Sequence, residues 1–197
     1  ALTSTKIGAV RLQREFIKKE PISSQNELFL RSFIRGSMES AIDKVSKRIE
    51  VGEIPVLVAT SGTAMAIGSL ISNKENHMQT KLQGYKIKKN NLDLIVSHLI
   101  KMTPSERSQL SSLSERRSEI IVPGALILQT IMSMVDANEI ILSERALREG
   151  LVVDWMCRNN YLKDQLSFQG SIRERTVIHQ AKRFGVNSKR SKSVSEF

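Results

Sequence analysis

The sequence is short of the residues that build crosslinked, metal-stapled or base-stacking folds. A lone cysteine, Cys157, admits no internal disulfide, and with the three scattered histidines His77, His98 and His179 it forms no ligand cluster. A disulfide scaffold and a zinc module are thereby excluded, and the reducing cytoplasm is the expected compartment. Aromatics make up only 5% of residues, and no basic stretch is interleaved with Phe, Tyr or Trp as in a platform for single-stranded bases. Long apolar runs are missing too. The richest one, residues 120–135, is interrupted by Pro123, Gly124, Gln129, Thr130 and Ser133, which makes it a poor membrane span. The first residue is Ala1, with no charged-then-apolar signal pattern after it, so the expectation is a processed chain or an excised piece.

Positive charge is what the chain has in excess. Thirty Lys and Arg stand against 20 Asp and Glu, a formal charge of +10, which favours a polyanionic partner: nucleic acid, polyphosphate or a nucleotide. The scarcity of aromatics turns that list towards phosphate rather than bases. A length of 197 residues suffices for one buried core with an appendage.

Residues 56–69, VLVATSGTAMAIGS, supply the first candidate site. The β-branched run reads as a strand covered on both faces, Ser61-Gly62-Thr63 as a tight turn, and the small residues from Ala64 on as a helix. Free amides at such a turn, with the hydroxyls of Ser61 and Thr63, suit phosphate oxygens; the plain alternative is that Ser61 or Thr63 is an N-cap.

Before this segment, residues 3–16 suit a strand or hairpin arm at a sheet edge, bent at Gly8. Pro21, Ser23 and Ser24 then open a helical pattern carried by Leu28, Phe29, Phe33, Met38, Ile42, Val45 and Ile49, with a kink or break expected at Gly36 and an end at Gly52 and Pro55. Residues 72–83 read as a polar surface loop that contains His77. Leu92, Ile95, Val96, Leu99 and Ile100 define an amphipathic helix with His98 on its exposed side, and Thr103-Pro104-Ser105-Glu106 is a capping box that starts a short helix ending near Leu110. Residues 113–135 run from a charged cluster into an apolar helix. Arg117 stands at that transition, either a solvated surface residue or a guanidinium matched to phosphate. Met132 and Met134 there read as core filler.

Residues 139–143, EIILS, form a second short strand that turns at 144–150 into a helix over 151–157. Two strand-turn-helix units with helices between them predict an α/β sheet whose crevice lies beyond the carboxyl ends of the strands. Residues 159–170 read as a polar linker. Residues 172–184 follow as a basic helix carrying His179, and the end, NSKRSKSVSEF, begins another.

Taken in order, GAVRLQREF, VATSGTAMAI, TPSER, LSERRSEIIVPGALIL, LSERALREGLVVD and SIRERTVIHQAKRFGV resemble the Ppx/GppA family of exopolyphosphatases and guanosine pentaphosphate phosphohydrolases, collinearly over nearly the whole chain. RSEIIVPGA and ALREGL carry most of that specificity. Two turns depart from the family pattern: Ser111-Ser112 stands where Pro-Gly is usual, and Glu144-Arg145 where a small Asp-Gly turn is usual.

The resemblance implies an α/β fold of actin-like, sugar-kinase and Hsp70 ATPase type (ribonuclease H-like), with two lobes around a phosphate-binding cleft and a helical domain of HD type. On that implication residues 1–158 are the second lobe, entered at its second strand after the phosphate loop, and residues 159–197 are a linker and the first helices of a truncated helical domain. The first lobe, its aspartate loop, the water-activating glutamate and the glycine-rich phosphate loop are expected to be missing. The implied activity of the parent is hydrolysis of terminal phosphate from inorganic polyphosphate, or of the 5′ end of guanosine pentaphosphate, with Mg²⁺ whose ligands lie outside the chain; the chain alone is expected to be inactive. Ser61, Gly62, Thr63, Arg117 and Arg148 are the phosphate-binding candidates, and for Arg148 a structural pairing with Glu149 competes. No catalytic or metal-ligating residue is assigned. A homodimer is left open, and neither a membrane nor nucleic acid is an expected partner. A reading of another class is a non-catalytic module that binds a polyanion or nucleic acid.

Overall fold

The computed structural model describes residues 3–49, 52, 54–74, 81–162 and 184–186. Its described residues fall into two compact units that divide between Ala146 and Leu147. The predicted linker beyond Leu162, the basic helix before Phe184 with His179, the end of the chain and His77 lie outside the described residues.

The first element of the first unit is α1 (Ala9–Phe16), a helix where the sequence reading expects a strand. Ala9, Leu12 and Phe16 follow helical spacing and face inward. Leu12 is fully buried, while Val10 is 53% exposed. Next is α2 (Ser24–Ser46), opened by Ser23, whose hydroxyl accepts from the Asn26 N–H at 3.3 Å. It runs unbroken through Gly36. That glycine lies on the exposed side, where its cost of about 1 kcal/mol relative to Ala is offset by burial of Leu30, Ile34 and Ala41. The buried stripe is rotated from the expected one, leaving Leu28, Phe29 and Val45 exposed.

The sheet has three strands: β1 (Leu57–Ala59), β2 (Lys86–Lys88) and β3 (Glu139–Leu142), in the order β1-β3-β2. Strand β3 pairs parallel with β1, Ala59 opposite Leu142, and antiparallel with β2, Ile87 opposite Ile140. The expectation that β1 is covered on both faces is corrected. Leu57 and Ala59 are half-buried but Val56 and Val58 are exposed, because apolar β-branched composition does not say how many faces a small edge strand has covered. Helix α3 (Gly62–Lys74) carries on into the expected loop and rests on β3, where a Cβ added to Gly68 would collide with Leu142 Cδ1.

Beyond β2 come α4 (Lys89–Lys101), α5 (Pro104–Ser108) and α6 (Glu115–Met134). The predicted capping box opens α5: the Thr103 hydroxyl accepts from the Glu106 N–H, and the Glu106 carboxylate accepts from the Thr103 N–H at 2.7 Å. The bond from the Thr103 backbone, then that from its hydroxyl, holds the Glu106 carboxyl below its ordinary value. Helix α6 is the centre of the unit, packed against α1, α2, α3, α4 and α5. It is apolar on nearly all sides from Ile120 to Met132, as a helix surrounded by others must be.

The second unit begins with α7 (Leu147–Arg158), which starts four residues before the expected helix. Leu147, Leu151 and Trp155 lie at successive four-residue steps and are exposed, Trp155 stacks on Tyr161 with ring centroids 5.5 Å apart, and Asp154 pairs with Arg158 at 2.8 Å. No helix among the described residues is long and apolar enough to cross a membrane.

Candidate functional site

The parallel pairing of β1 and β3 sets their carboxyl ends side by side, and the Ser143 N–H donates to the Ala59 carbonyl at 2.9 Å, extending the pairing by one step. The chain leaving β1 turns at once into α3. Ser61 is the cap: its carbonyl accepts from the Met65 N–H at 3.0 Å and its hydroxyl from the Ala64 N–H at 3.1 Å. Capping and anion binding are compatible here. The cap takes the amide of Ala64, and the amides of Gly62 and Thr63 are left as the leading donors of a thirteen-residue helix whose N-terminal dipole favours an anion.

Ser61 and Gly62 are exposed, whereas Thr63 is half-buried and turned onto α6. A Cβ at Gly124 would lie 2.5 Å from Thr63 Cγ2 and 3.1 Å from its hydroxyl, so the absence of a side chain at Gly124 is what lets the start of α3 touch α6. The guanidinium of Arg117, from the first turn of α6, lies over Gly62: a Cβ there would be 3.1 Å from Nη2 and 3.5 Å from Cζ. Two candidates 55 positions apart in sequence thus meet, an exposed guanidinium against an exposed helix N-terminus. Arg148 belongs to the second unit, exposed in the first turn of α7. Glu149 is its neighbour along that helix.

The opposite turn is structural. The Glu144 carboxylate accepts from the Leu82 N–H at 2.7 Å and its own N–H donates to Gln83, while the Ser143 hydroxyl exchanges hydrogen bonds with the backbone of Arg145. Among the described residues no three His, Cys, Asp or Glu side chains come together. By themselves these residues do not make up a Mg²⁺ site.

Gly124 was invisible as a site residue in the sequence, where it reads only as an interruption of an apolar run; its signal was the Pro123-Gly124 pair inside an otherwise continuous helix. Gly124→Ala is expected to cost about 1–3 kcal/mol through overpacking against the stiff, β-branched Thr63 and to shift the amide resonances of Gly62 and Thr63. Denaturant melts and amide spectra of this variant and of Gly124→Ala/Thr63→Ala check it. The double variant should recover most of the loss, and an unperturbed Gly124→Ala would show that the contact is slack.

The family model described as the Ppx/GppA phosphatase family matches residues 1–159. Exopolyphosphatase 1 of Mycobacterium leprae is 27% identical over 150 residues, which is 76% of this chain and 43% of that protein. The guanosine-5′-triphosphate,3′-diphosphate pyrophosphatase of Vibrio vulnificus is 24% identical over 196 residues, 99% of this chain and 35% of that protein. Among solved structures, the Ppx/GppA family member of Aquifex aeolicus superposes with a TM-score of 0.65 at 21% identity, covering 78% of this chain and 48% of that one. An exopolyphosphatase from Cytophaga hutchinsonii gives 0.69 at 17%, covering 78% and 49%. The chain spans less than half the length of these relatives.

Proposed function

The chain belongs to the Ppx/GppA phosphatase family and has its actin-like, ATPase-type fold, and from that premise we propose that it supplies the phosphate-holding donors of a cytoplasmic exopolyphosphatase, an enzyme that hydrolyses the terminal phosphate of inorganic polyphosphate. The observation that carries the reading is the stacking of Arg117 over Gly62 at the exposed start of α3. Transfer of a phosphoryl group places charge on its equatorial oxygens, and backbone amides beside a guanidinium are suited to hold that charge without rearrangement. The formal charge of +10 gathers a polymer of like-charged phosphates by long-range attraction. Guanosine pentaphosphate is the second reading, favoured by one observation: similarity to the Vibrio vulnificus pyrophosphatase runs over 99% of the chain.

Arg117→Ala should weaken binding of polyphosphate to the chain about 10- to 100-fold, the worth of one or two charge-assisted hydrogen bonds, and make binding less salt-dependent. Arg117 is exposed, so the thermal midpoint should barely move. Arg116→Ala, one position away and equally exposed, is the control for charge alone. Equal losses in the two variants would reduce the site to general electrostatic attraction, and a large loss of stability in Arg117→Ala with unaltered binding would return that residue to the scaffold.

A further inference from the structure

The two outer edges of the three-stranded sheet differ. At one, β2 presents the exposed side chains of Lys86 and Lys88, the kind of charge that keeps an edge strand from pairing with another chain. The other, β1, has no such guard. Ile54, Val56 and Val58 stand at alternate positions along it, 65%, 64% and 61% exposed, and residues 54–72 contain no charged side chain. Among the described elements β1 packs substantially only on β3.

The backbone of that edge is free as well. The Ser143 N–H donates to the Ala59 carbonyl, so Ala59, and Leu57 two positions before it, turn their N–H and C=O towards β3. Val56, Val58 and Thr60 therefore turn theirs the other way, where no described residue bonds to Val56 or Val58. Pro55, which has no N–H to give, falls on the β3 side and leaves this edge intact. An exposed strand with apolar side chains and unused donors and acceptors is a template for a further strand.

Charge and symmetry decide which strand fits it. Two copies of a chain with formal charge +10 repel wherever lysines or arginines meet, as they would across two β2 edges, and they meet without that cost along residues 54–60. The same edge turned about a twofold axis at Val58 is its own complement: Val58 comes opposite Val58 and Val56 opposite Thr60, each pair able to exchange both N–H···O bonds. We propose that two copies of the chain pair antiparallel along β1, joining their sheets into one. The pairing uses up the unguarded edge of each copy and leaves the lysine-bearing edges outside, so assembly stops at the dimer.

Sedimentation velocity of the full chain from ~1 to ~100 μM tests this and should show a concentration-dependent passage from monomer to dimer. Salt should favour the dimer by screening like charge, the opposite of its effect on polyphosphate binding. Val58→Pro removes an N–H that the single chain does not use, at an edge position where proline is tolerated, and should weaken the dimer tenfold or more. Val58→Lys sets like charges against each other at the axis and should do the same. Val10→Lys puts the same charge at an exposed valine of α1 and should leave the dimer nearly unchanged. Circular dichroism melts confirm that each variant is folded. The proposal is overturned by a monomer at every concentration, by a ladder of larger species, by a dimer indifferent to both Val58 variants, or by equal weakening in Val10→Lys.

Discussion

Arg107→Met is expected to remove about 3–5 kcal/mol of stability, a large part of what a domain of this size possesses. Arg107 is fully buried, and its guanidinium donates from all three nitrogens: Nε to the Ser118 carbonyl at 3.0 Å, Nη1 to the carbonyls of Leu99 and Met102 at 3.4 and 3.1 Å, and Nη2 to the Glu20 carboxylate at 2.5 Å. Leu99 and Met102 sit at the carboxyl end of α4, where helix carbonyls lack intrahelical partners and the dipole favours a cation. One side chain thus joins the end of α4, the first turns of α6 and the segment between α1 and α2. Methionine fills a similar volume and makes none of these bonds, leaving the Glu20 charge, 10% exposed, without a partner. Lysine keeps the charge but brings one nitrogen where three are used, so Arg107→Lys should also be clearly destabilised. Guanidinium unfolding followed by circular dichroism measures both. The decisive comparison is Arg107→Met/Glu20→Met: with neither charge left buried it should recover a substantial part of the loss, and simple additivity of the two single losses would show that the pair is not coupled.

Nothing in the sequence around Arg107 announces this role. Thr103 to Glu106 is legible as a capping box because its logic is local: a hydroxyl and a carboxylate three positions apart satisfy each other's backbone. Arg107 is the next residue, and its partners lie 5, 8, 11 and 87 positions away. The same division runs through the fold. Helices α2 and α4 show in the spacing of their apolar residues, α6 as an apolar stretch after a charged cluster, and β3 as a short apolar run. Strand β2 is three residues, Lys-Ile-Lys, with a single buried side chain, and is defined only by its pairing with β3. Around α1 the apolar residues Ile7, Val10, Leu12 and Phe16, scattered among polar ones, suit a strand as well as a helix, and only the structure picks out Ala9, Leu12 and Phe16 as the inward positions.

The candidate site divides in the same way. The Ser-Gly-Thr turn between a strand and a helix, and the arginine at the head of an apolar helix, stand out in the sequence as phosphate-binding candidates, each with a plain alternative as a cap or a solvated residue. Their meeting does not, because it depends on α3 and α6 approaching closely enough for Thr63 to lie on Gly124 and Arg117 on Gly62. Glycine permits such contact without specifying it. A sequence containing the same two glycines in helices that pack elsewhere would read identically.

Purified alone and supplied with polyphosphate and Mg²⁺, the chain is expected to release no phosphate above background, whereas a full-length relative such as the exopolyphosphatase of Mycobacterium leprae, assayed beside it, should turn over readily. Hydrolysis of a phosphoanhydride needs an attacking water placed by a base, and losing a general base alone costs about 10²- to 10⁴-fold. The described carboxylates are largely committed to other work. Glu20 holds Arg107, Glu106 closes the capping box, Glu139 pairs with Lys86 at 2.7 Å, Glu144 fixes the Leu82 amide, Asp93 holds Gln129, and Asp154 pairs with Arg158. Glu115 and Glu119 lie exposed on α6, the first of them in its opening turn, where a negative charge already has a structural reason to be. What the first unit offers phosphate is donors: two leading amides of α3 and the Arg117 guanidinium. Donors of that kind hold phosphate charge but place no nucleophile, and without a positioned, activated water they have no transition state to stabilise. The chain should therefore bind polyphosphate, in a salt-sensitive way, without consuming it. Turnover comparable to that of the full-length relative would require a base among residues read here as scaffold. Glu119→Gln and Glu144→Gln would then be the first variants to make, and loss of turnover in either one with the fold intact would move the catalytic centre into this chain.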